Sequence, residues 1–238
     1  MAHPTFSQFS GGRYAAFSTQ SSLLARVKQL GFGLLTVITI LSLAQPALAH
    51  HPLGGDLPDN MFEGFLSGVG HPIIGLDHLA FVIAIGLVAA TKPRGFLIPL
   101  AFVIASVVGT GLHLQLFSLP APEIVISASV AIFGVILAMG QRLSLRIVVL
   151  LGALAGIFHG YAYGEAIFGA EASPMVAYLA GFATVQMAIA LLFFTVGRSV
   201  VKSSIVKPSM SAVPLNLRFA GFTLAGVGMA FLSSAALG

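Results

Sequence analysis

Residues 72–91 read PIIGLDHLAFVIAIGLVAAT, a run of 20 residues in which Asp77 is the only Asp, Glu, Lys or Arg. A helix of about 20 apolar residues is long enough to cross the hydrocarbon core of a bilayer. Similar runs follow, separated by charged or proline-bearing breaks. We therefore predict an all-α fold, a polytopic membrane protein whose domain over residues 71–238 is a bundle of six transmembrane helices, at 72–91, 96–117, 124–140, 147–166, 175–197 and 217–237.

The composition agrees with this prediction, since 57% of the 238 residues are hydrophobic and 8% are charged. An average soluble domain has about 25% charged residues, so the solvent for most of this surface must be the lipid bilayer. No Walker-type phosphate-binding loop is present, so an ATP-driven pump would need its ATPase domain on a separate chain. The absence of cysteine excludes disulfides and thiolate metal sites.

Residues 1–49 predict a cleavable signal peptide. A basic flank with Arg26 and Lys28 precedes the apolar run 31–44, and an Ala-Leu-Ala cleavage site ends at Ala49. The alternative is an uncleaved first span, although the run is short for a bilayer. Cleavage leaves 8 of the 11 basic residues against 7 acidic ones, a balance that predicts no nucleic-acid binding.

Residues 50–70 are predicted to be an extracytoplasmic N-terminal segment. Apolar residues at helical spacing predict a short amphipathic helix on the outer surface of the membrane, namely Phe62, Phe65, Leu66 and Val69. We expect the Gly-His-Pro sequence at 70–72 to end this helix and to start the first span.

The breaks between spans alternate in charge. Basic residues fall at every second break, which the positive-inside rule places in the cytoplasm, namely Lys92, Arg94, Arg142, Arg146, Arg198, Lys202, Lys207 and Arg218. The carboxylates fall at the other breaks or in the adjacent half of the membrane. We predict that both termini are extracytoplasmic, in a prokaryotic inner or plasma membrane, with a thylakoid membrane as the alternative.

A few ionisable residues occur inside the predicted spans, where such groups are costly and by default mark a site or a path. His71 and His78 are seven residues apart, so they are expected to share one helix face. Asp77 precedes His78, and His159 lies in the fourth span with Glu165 nearer its outer end. Imidazole and carboxylate ligands without thiolate suit borderline divalent ions such as Ni²⁺, Co²⁺ or Zn²⁺.

Three other histidines are candidates for metal capture. His50 and His51 would stand at the mature N-terminus, where the alternative is a solvated stub beside the cleavage site. His113 ends the second span, where the alternative is a helix-capping or hydrogen-bonding role.

The fourth span also carries a glycine every four residues, at Gly152, Gly156, Gly160 and Gly164. Such a row lets a neighbouring backbone approach closely, which predicts that this helix is central to the bundle. The alternative is the general abundance of glycine in membrane helices.

At these residues the sequence resembles the HupE/UreJ family of membrane proteins, which are associated with nickel-enzyme gene clusters and regarded as nickel or cobalt permeases. The segment 71–78, HPIIGLDH, is similar to the family's HPxxGxDH motif in full. The segment 158–165, FHGYAYGE, resembles the pattern FHGxAHGxE, but it has Tyr163 in place of histidine and its glutamate one position early. The resemblance implicates His71, Asp77, His78, His159 and Glu165 as metal ligands.

The predicted function is a permease for uptake of Ni²⁺ or Co²⁺ through a path lined by histidine and aspartate that opens on the extracytoplasmic side. It is not predicted to be an enzyme, and no tightly bound cofactor is expected. One alternative is a metal-binding accessory or sensor protein for metalloenzyme maturation. A second is an intramembrane metallohydrolase, although the sequence has no HExxH-type arrangement. The sequence leaves open the choice between nickel and cobalt, with zinc or copper as further alternatives, the driving force and coupling ion, and a homo-oligomeric state.

Overall fold

The computed structural model describes residues 56–140, 143–203 and 213–237. The predicted signal peptide, His50 and His51 lie outside these residues. The secondary structure in the described ranges is helical, in the order α1 (Met61–Ile74), α2 (Leu76–Ala90), α3 (Leu97–Leu114), α4 (Pro122–Ala138), α5 (Leu145–Glu165), α6 (Ala172–Ser203) and α7 (Leu215–Leu237).

Four of these helices, α3, α5, α6 and α7, are long and apolar enough to cross a membrane. Helices α1 and α2 add a fifth span if the bent pair counts as one, and α4 is an apolar helix of 17 residues. The all-α fold is confirmed, and the chain is a multi-pass membrane protein embedded in a lipid bilayer. The cleavable signal peptide and the count of six transmembrane helices remain predictions.

The predicted first span, 72–91, is interrupted at Gly75, where the axes of α1 and α2 meet at an angle of 79°. The prediction that the Gly-His-Pro sequence ends the first helix is wrong, because α1 continues through Pro72 to Ile74. A proline lacks the N–H that would bond the carbonyl four residues earlier, here that of Gly68. Since Pro72 lies close to the end of α1, the helix loses only this bond, and packing against α6 offsets the loss.

Close backbone contact joins α1 to α6. A Cβ atom added at Gly68 would collide with the carbonyl oxygen of Tyr178, and one added at Gly181 would collide with that of Phe65. Glycine on both helices therefore lets the two backbones touch. The opposite face of α1 leaves Phe62 71% exposed, and in a bilayer such a face contacts lipid.

The glycine row of α5 faces α3. A Cβ atom at Gly160 would collide with the backbone of Ser106, and one at Gly156 would collide with the backbone carbonyl of Phe102. Helix α3 also contributes a glycine to this contact, because Gly109 lies against the backbone of Ile157 on α5. The main further helix contacts are those of α4 with α7 and of α2 with α6.

Two cations bond backbone carbonyls at one end of the bundle. Arg218 Nε donates to the carbonyl of Ala138, the last residue of α4, at 2.8 Å. Lys92 Nζ donates to the carbonyl of Leu143, in the connection from α4 to α5. For Arg218, positive charge is favourable beside Ala138 because the last carbonyls of a helix lack helical partners.

We expect Arg218→Ala to lower the stability of the protein by about 1 kcal/mol, the usual value of such a terminal bond. Heating in detergent followed by size-exclusion chromatography would measure the loss of folded protein. Arg146→Ala is the matched control, because Arg146 is an exposed cation near the start of α5. Equal melting of the two variants would contradict a stabilising role for Arg218.

Candidate metal-binding site

Buried aromatic and imidazole side chains from four helices meet beside the break in the first span. We call this group the histidine cluster. Its members are His71 of α1, His78 of α2, His159 and Tyr163 of α5, and Tyr178 of α6. Each is at most 5% exposed, and His159, Tyr163 and Tyr178 are fully buried.

The rings of the cluster are in direct contact. The ring centroids of His71 and His78 are 5.7 Å apart, and those of His78 and His159 are 5.0 Å apart. The ring of Tyr163 packs against the imidazoles of His71 and His78, with ring centroids 4.9 and 4.6 Å apart. The sequence motifs of two distant segments thus meet in one place.

One hydrogen-bonded chain runs from His78 into α4. The Nδ1 atoms of His78 and His159 are 2.9 Å apart. His159 Nε2 lies 3.1 Å from Ser129 Oγ, and Ser129 Oγ donates to the carbonyl of Ile126 at 2.6 Å. The ring of His159 also contacts Phe81, with centroids 4.5 Å apart, so its nitrogens are held in an otherwise apolar layer.

A second, shorter chain holds His71. Its Nδ1 lies 2.9 Å from the hydroxyl oxygen of Tyr178. The same hydroxyl donates to the backbone carbonyl of Tyr163 at 2.9 Å. The phenol of Tyr163 itself is buried, and its hydroxyl has no hydrogen-bond partner within the described part of the chain.

Asp77 lies in the first turn of α2 and bonds the backbone there. Its Oδ1 accepts a hydrogen bond from the backbone N–H of His78 at 2.8 Å, which satisfies a donor in the first turn of the helix. A carboxylate is favourable there because the N-terminus of a helix carries partial positive charge. The side chain of Asp77 is half-buried. Through its bond to the backbone N–H of His78, it helps to orient His78 at the start of the helix.

The other predicted ligands lie apart from the cluster. Glu165 is the last residue of α5 and is exposed. His113 packs against the rings of Tyr161 and Phe168, at 4.6 and 5.9 Å, and its Nδ1 has no hydrogen-bond partner among the described residues. Over residues 56–140, 143–203 and 213–237, no three His, Asp or Glu side chains are grouped closely enough to hold a metal ion.

Sequence reasoning missed Ser129 and Tyr178, which hold the two ends of the hydrogen-bonded chains. Serine and tyrosine are ordinary in membrane helices, so neither attracts notice by its type. Gln186 was also missed, although an amide in an apolar run is a usable signal. It is fully buried on α6, and Ser106 Oγ lies 3.4 Å from its Oε1.

Comparison with known proteins identifies the family. The profile of the family described as HupE / UreJ protein matches residues 38–231. The chain belongs to the HupE/UreJ family. Protein HupE of Rhizobium leguminosarum bv. viciae is 30% identical over 146 residues, which cover 60% of this chain and 73% of that protein. No solved structure matches the chain.

As a HupE/UreJ protein, this chain carries its buried histidines within the residues that define the family match. The histidine cluster and Ser129 all lie between residues 38 and 231. The arrangement provides buried imidazole nitrogens in contact with hydroxyl groups that are themselves bonded to backbone carbonyls. Such nitrogens can exchange with the water ligands of a borderline divalent cation.

Proposed function

We propose that this HupE/UreJ protein is a permease that carries Ni²⁺ or Co²⁺ from the extracytoplasmic side into the cytoplasm. The observation that carries the proposal is the contact of three buried imidazoles, supplied by α1, α2 and α5, beside a broken membrane helix. Ionisable side chains at membrane depth are costly, and a cluster of them marks a substrate or ion path.

The ligand chemistry favours nickel or cobalt as the cargo. Imidazole nitrogen suits borderline divalent ions, whereas Mg²⁺ and Ca²⁺ prefer sites built from oxygen ligands. The protein has no cysteine, so the soft thiolate sites that select Cu⁺ are excluded. Among the divalent ions, we take Ni²⁺ and Co²⁺ as the cargo because the family resemblance points to them.

The order of the rings suits stepwise transfer. His71 contacts His78, and His78 contacts His159, so an ion held by one imidazole has the next within reach. Asp77, half-buried at the N-terminus of α2, adds negative charge beside this row. The phenol of Tyr163 lies against the first two rings, so its movement would open or close the passage between them.

The driving force is proposed to be the membrane potential or a coupled ion. A potential of 100 mV that is negative inside is worth about 2.3 kcal/mol per charge, hence about 4.6 kcal/mol for a divalent cation. The basic residues Lys92 and Arg218 share the end of the bundle opposite the cluster. By the positive-inside rule this end faces the cytoplasm, which supports transport in the inward direction.

Purified protein in sealed liposomes loaded with a metal-sensitive dye would test the proposal. We expect added Ni²⁺ or Co²⁺ to produce an internal signal that grows with a negative-inside potential, and Mg²⁺ to produce none. Protein-free liposomes are the control for leakage. A protein that binds metal in detergent but gives no internal signal would be an accessory or sensor protein, and the permease proposal would be wrong.

A further inference from the structure

One amide side chain lies deep in the apolar part of α6 with unsatisfied hydrogen-bonding groups. Gln186 is fully buried, and its Nε2 has no hydrogen-bond partner among the residues that the structure describes. Its Oε1 lies 3.4 Å from Ser106 Oγ on α3, at the outer limit of a hydrogen bond. A buried amide without good partners costs stability, because its groups have given up their bonds to water. Its presence at this depth therefore indicates a bound partner.

Gln186 lies beside the histidine cluster. Its neighbour Ser106 packs so closely against Gly160, the residue after His159, that a Cβ atom at Gly160 would collide with the Ser106 backbone. On α6 itself, Phe182 comes one turn before Gln186, and its ring contacts a tyrosine of the cluster, with centroids 5.2 Å apart. The amide is thus flanked on α3 and on α6 by residues in contact with the cluster or with the backbone that carries it.

The position of Gln186 along α6 is on the side of the cluster that faces the end of the bundle with Lys92. Tyr178, the cluster residue of α6, comes eight residues earlier, a distance of about 12 Å along a helix axis at 1.5 Å per residue. Further along α6, Gly197 packs against Ala90, the last residue of α2 and two residues before Lys92. Along α6, Gln186 therefore lies between the cluster and that end.

The hydroxyl of Ser106 allows the amide to present its oxygen to a cation. A serine hydroxyl has one proton to donate, and Ser106 Oγ donates to the carbonyl of Phe102 at 2.9 Å. With its proton on that carbonyl, Ser106 Oγ is an acceptor for an N–H group. A half-turn of the Gln186 amide brings Nε2 to Ser106 Oγ and places Oε1 where the unpartnered nitrogen was. The amide oxygen can then bind a cation while Ser106 holds the nitrogen.

We propose that Gln186 is a substrate-binding residue whose amide oxygen binds the divalent cation between the histidine cluster and the end of the bundle that carries Lys92. Amide carbonyl oxygens are common ligands of divalent cations. A neutral oxygen suits a borderline cation less well than imidazole does, and conduction needs sites weak enough for the ion to leave. The inference rests on the proposed function, because it assigns a further contact to the same cargo.

Uptake by Gln186→Leu in sealed liposomes tests the assignment. Leucine has a comparable volume but no polar atom, so we expect the maximal rate of nickel or cobalt uptake per folded protein to fall by about tenfold or more, the usual value of a bond to a charged group. Gln186→Glu keeps an oxygen at the same distance from the backbone and should transport faster than Gln186→Leu. Gln115→Leu is the matched control, because it makes the same change at an exposed position at the end of α3, and it should transport at the wild-type rate.

Melting of the metal-free protein in detergent separates binding from a structural role. Because the amide has no good partner in the described part of the chain, its replacement by leucine should leave the melting temperature unchanged or raise it. An amide that served only to hold a structural water would lose its bonds in Gln186→Leu, and the variant would melt at a lower temperature than the wild type. That result would overturn the inference, even if uptake were also reduced.

Failure of the proposed function has a different signature. If the wild-type protein gives no internal signal, the permease proposal is wrong, and cobalt binding in detergent decides about Gln186. A dissociation constant raised by about tenfold in Gln186→Leu but not in Gln115→Leu would then support the site, and equal constants would overturn it. If the wild type and Gln186→Leu take up metal at the same rate per folded protein, the role of Gln186 is overturned and the proposed function stands.

Discussion

Replacing His78 with alanine is expected to reduce nickel and cobalt uptake to the level of protein-free vesicles. His78 joins His159 to the rest of the cluster, because its ring contacts those of His71, His159 and Tyr163. Its removal takes away one proposed metal-binding nitrogen and interrupts the row of imidazoles between the other two. Since outer partners of a ligand are worth about 10–100-fold, loss of the ligand itself should cost at least about 100-fold.

Two further variants separate loss of the nitrogen from loss of packing. His78→Phe keeps an aromatic ring but has no ligand atom, so it should be as inactive as His78→Ala. Ile85→Ala opens a cavity at a fully buried position two turns further along α2, and should transport in proportion to the folded protein present. Uptake by His78→Phe at the wild-type rate would contradict a ligand role for His78.

Gly160→Ala should be the most damaging of the small substitutions in the helix core. The added Cβ would collide with three backbone atoms of Ser106 on α3, and a backbone cannot turn aside as a side chain can. Overpacking of this kind costs about 1–3 kcal/mol. The helices would have to separate, which would also stretch the 2.7 Å bond from Thr110 Oγ1 to the Gly160 carbonyl and move the adjacent His159.

Gly111→Ala is the control for this substitution, since Gly111 lies in α3 and nothing lies within 4 Å of the added atom. Alanine there should leave stability unchanged or raise it by about 0.5–1 kcal/mol, the usual helix preference over glycine. Thermal unfolding in detergent, monitored by size-exclusion chromatography, would measure both. Equal stability of the two variants would show that the contact between α3 and α5 is looser than described.

The helices themselves were predictable from sequence, because the length of an apolar run is a local property. The break in the first span was not. Gly70, Pro72 and Gly75 are all helix breakers within six residues, and local propensity cannot choose among them. The choice depends on α6, whose Gly181 lets α1 pack closely enough to continue past Pro72.

The histidines illustrate a second limit. Helical spacing predicts His71 and His78 on one face of a continuous helix, whereas they lie on two helices that meet at 79°. Their rings are nevertheless 5.7 Å apart, because the bend turns the start of α2 back toward the end of α1. The spacing therefore predicts correctly that His71 and His78 lie close together, although the continuous helix on which that prediction depends does not form.

Tyr163 and Glu165 show what a motif leaves undetermined. From the sequence, a tyrosine in place of a histidine indicates the loss of a metal ligand. In the structure, Tyr163 is fully buried and packs against the imidazoles of His71 and His78. Glu165, a strong ligand type, is exposed at the end of α5. Which way each side chain points depends on where the neighbouring helices lie, and Ser129 and Tyr178 gain their roles only from distances across the bundle.

The order of helices along the chain has a consequence for biosynthesis. His71 bonds Tyr178, which follows 107 residues later, and α1 packs against α6. At about 5–20 residues per second, the ribosome needs roughly 5–20 s to supply this partner after His71 has been made. During that interval the first span lies in the membrane before Tyr178 of α6 is available to His71. A chain that stops before Ala172 lacks α6 altogether, so truncated products should be recognised and degraded by membrane proteases.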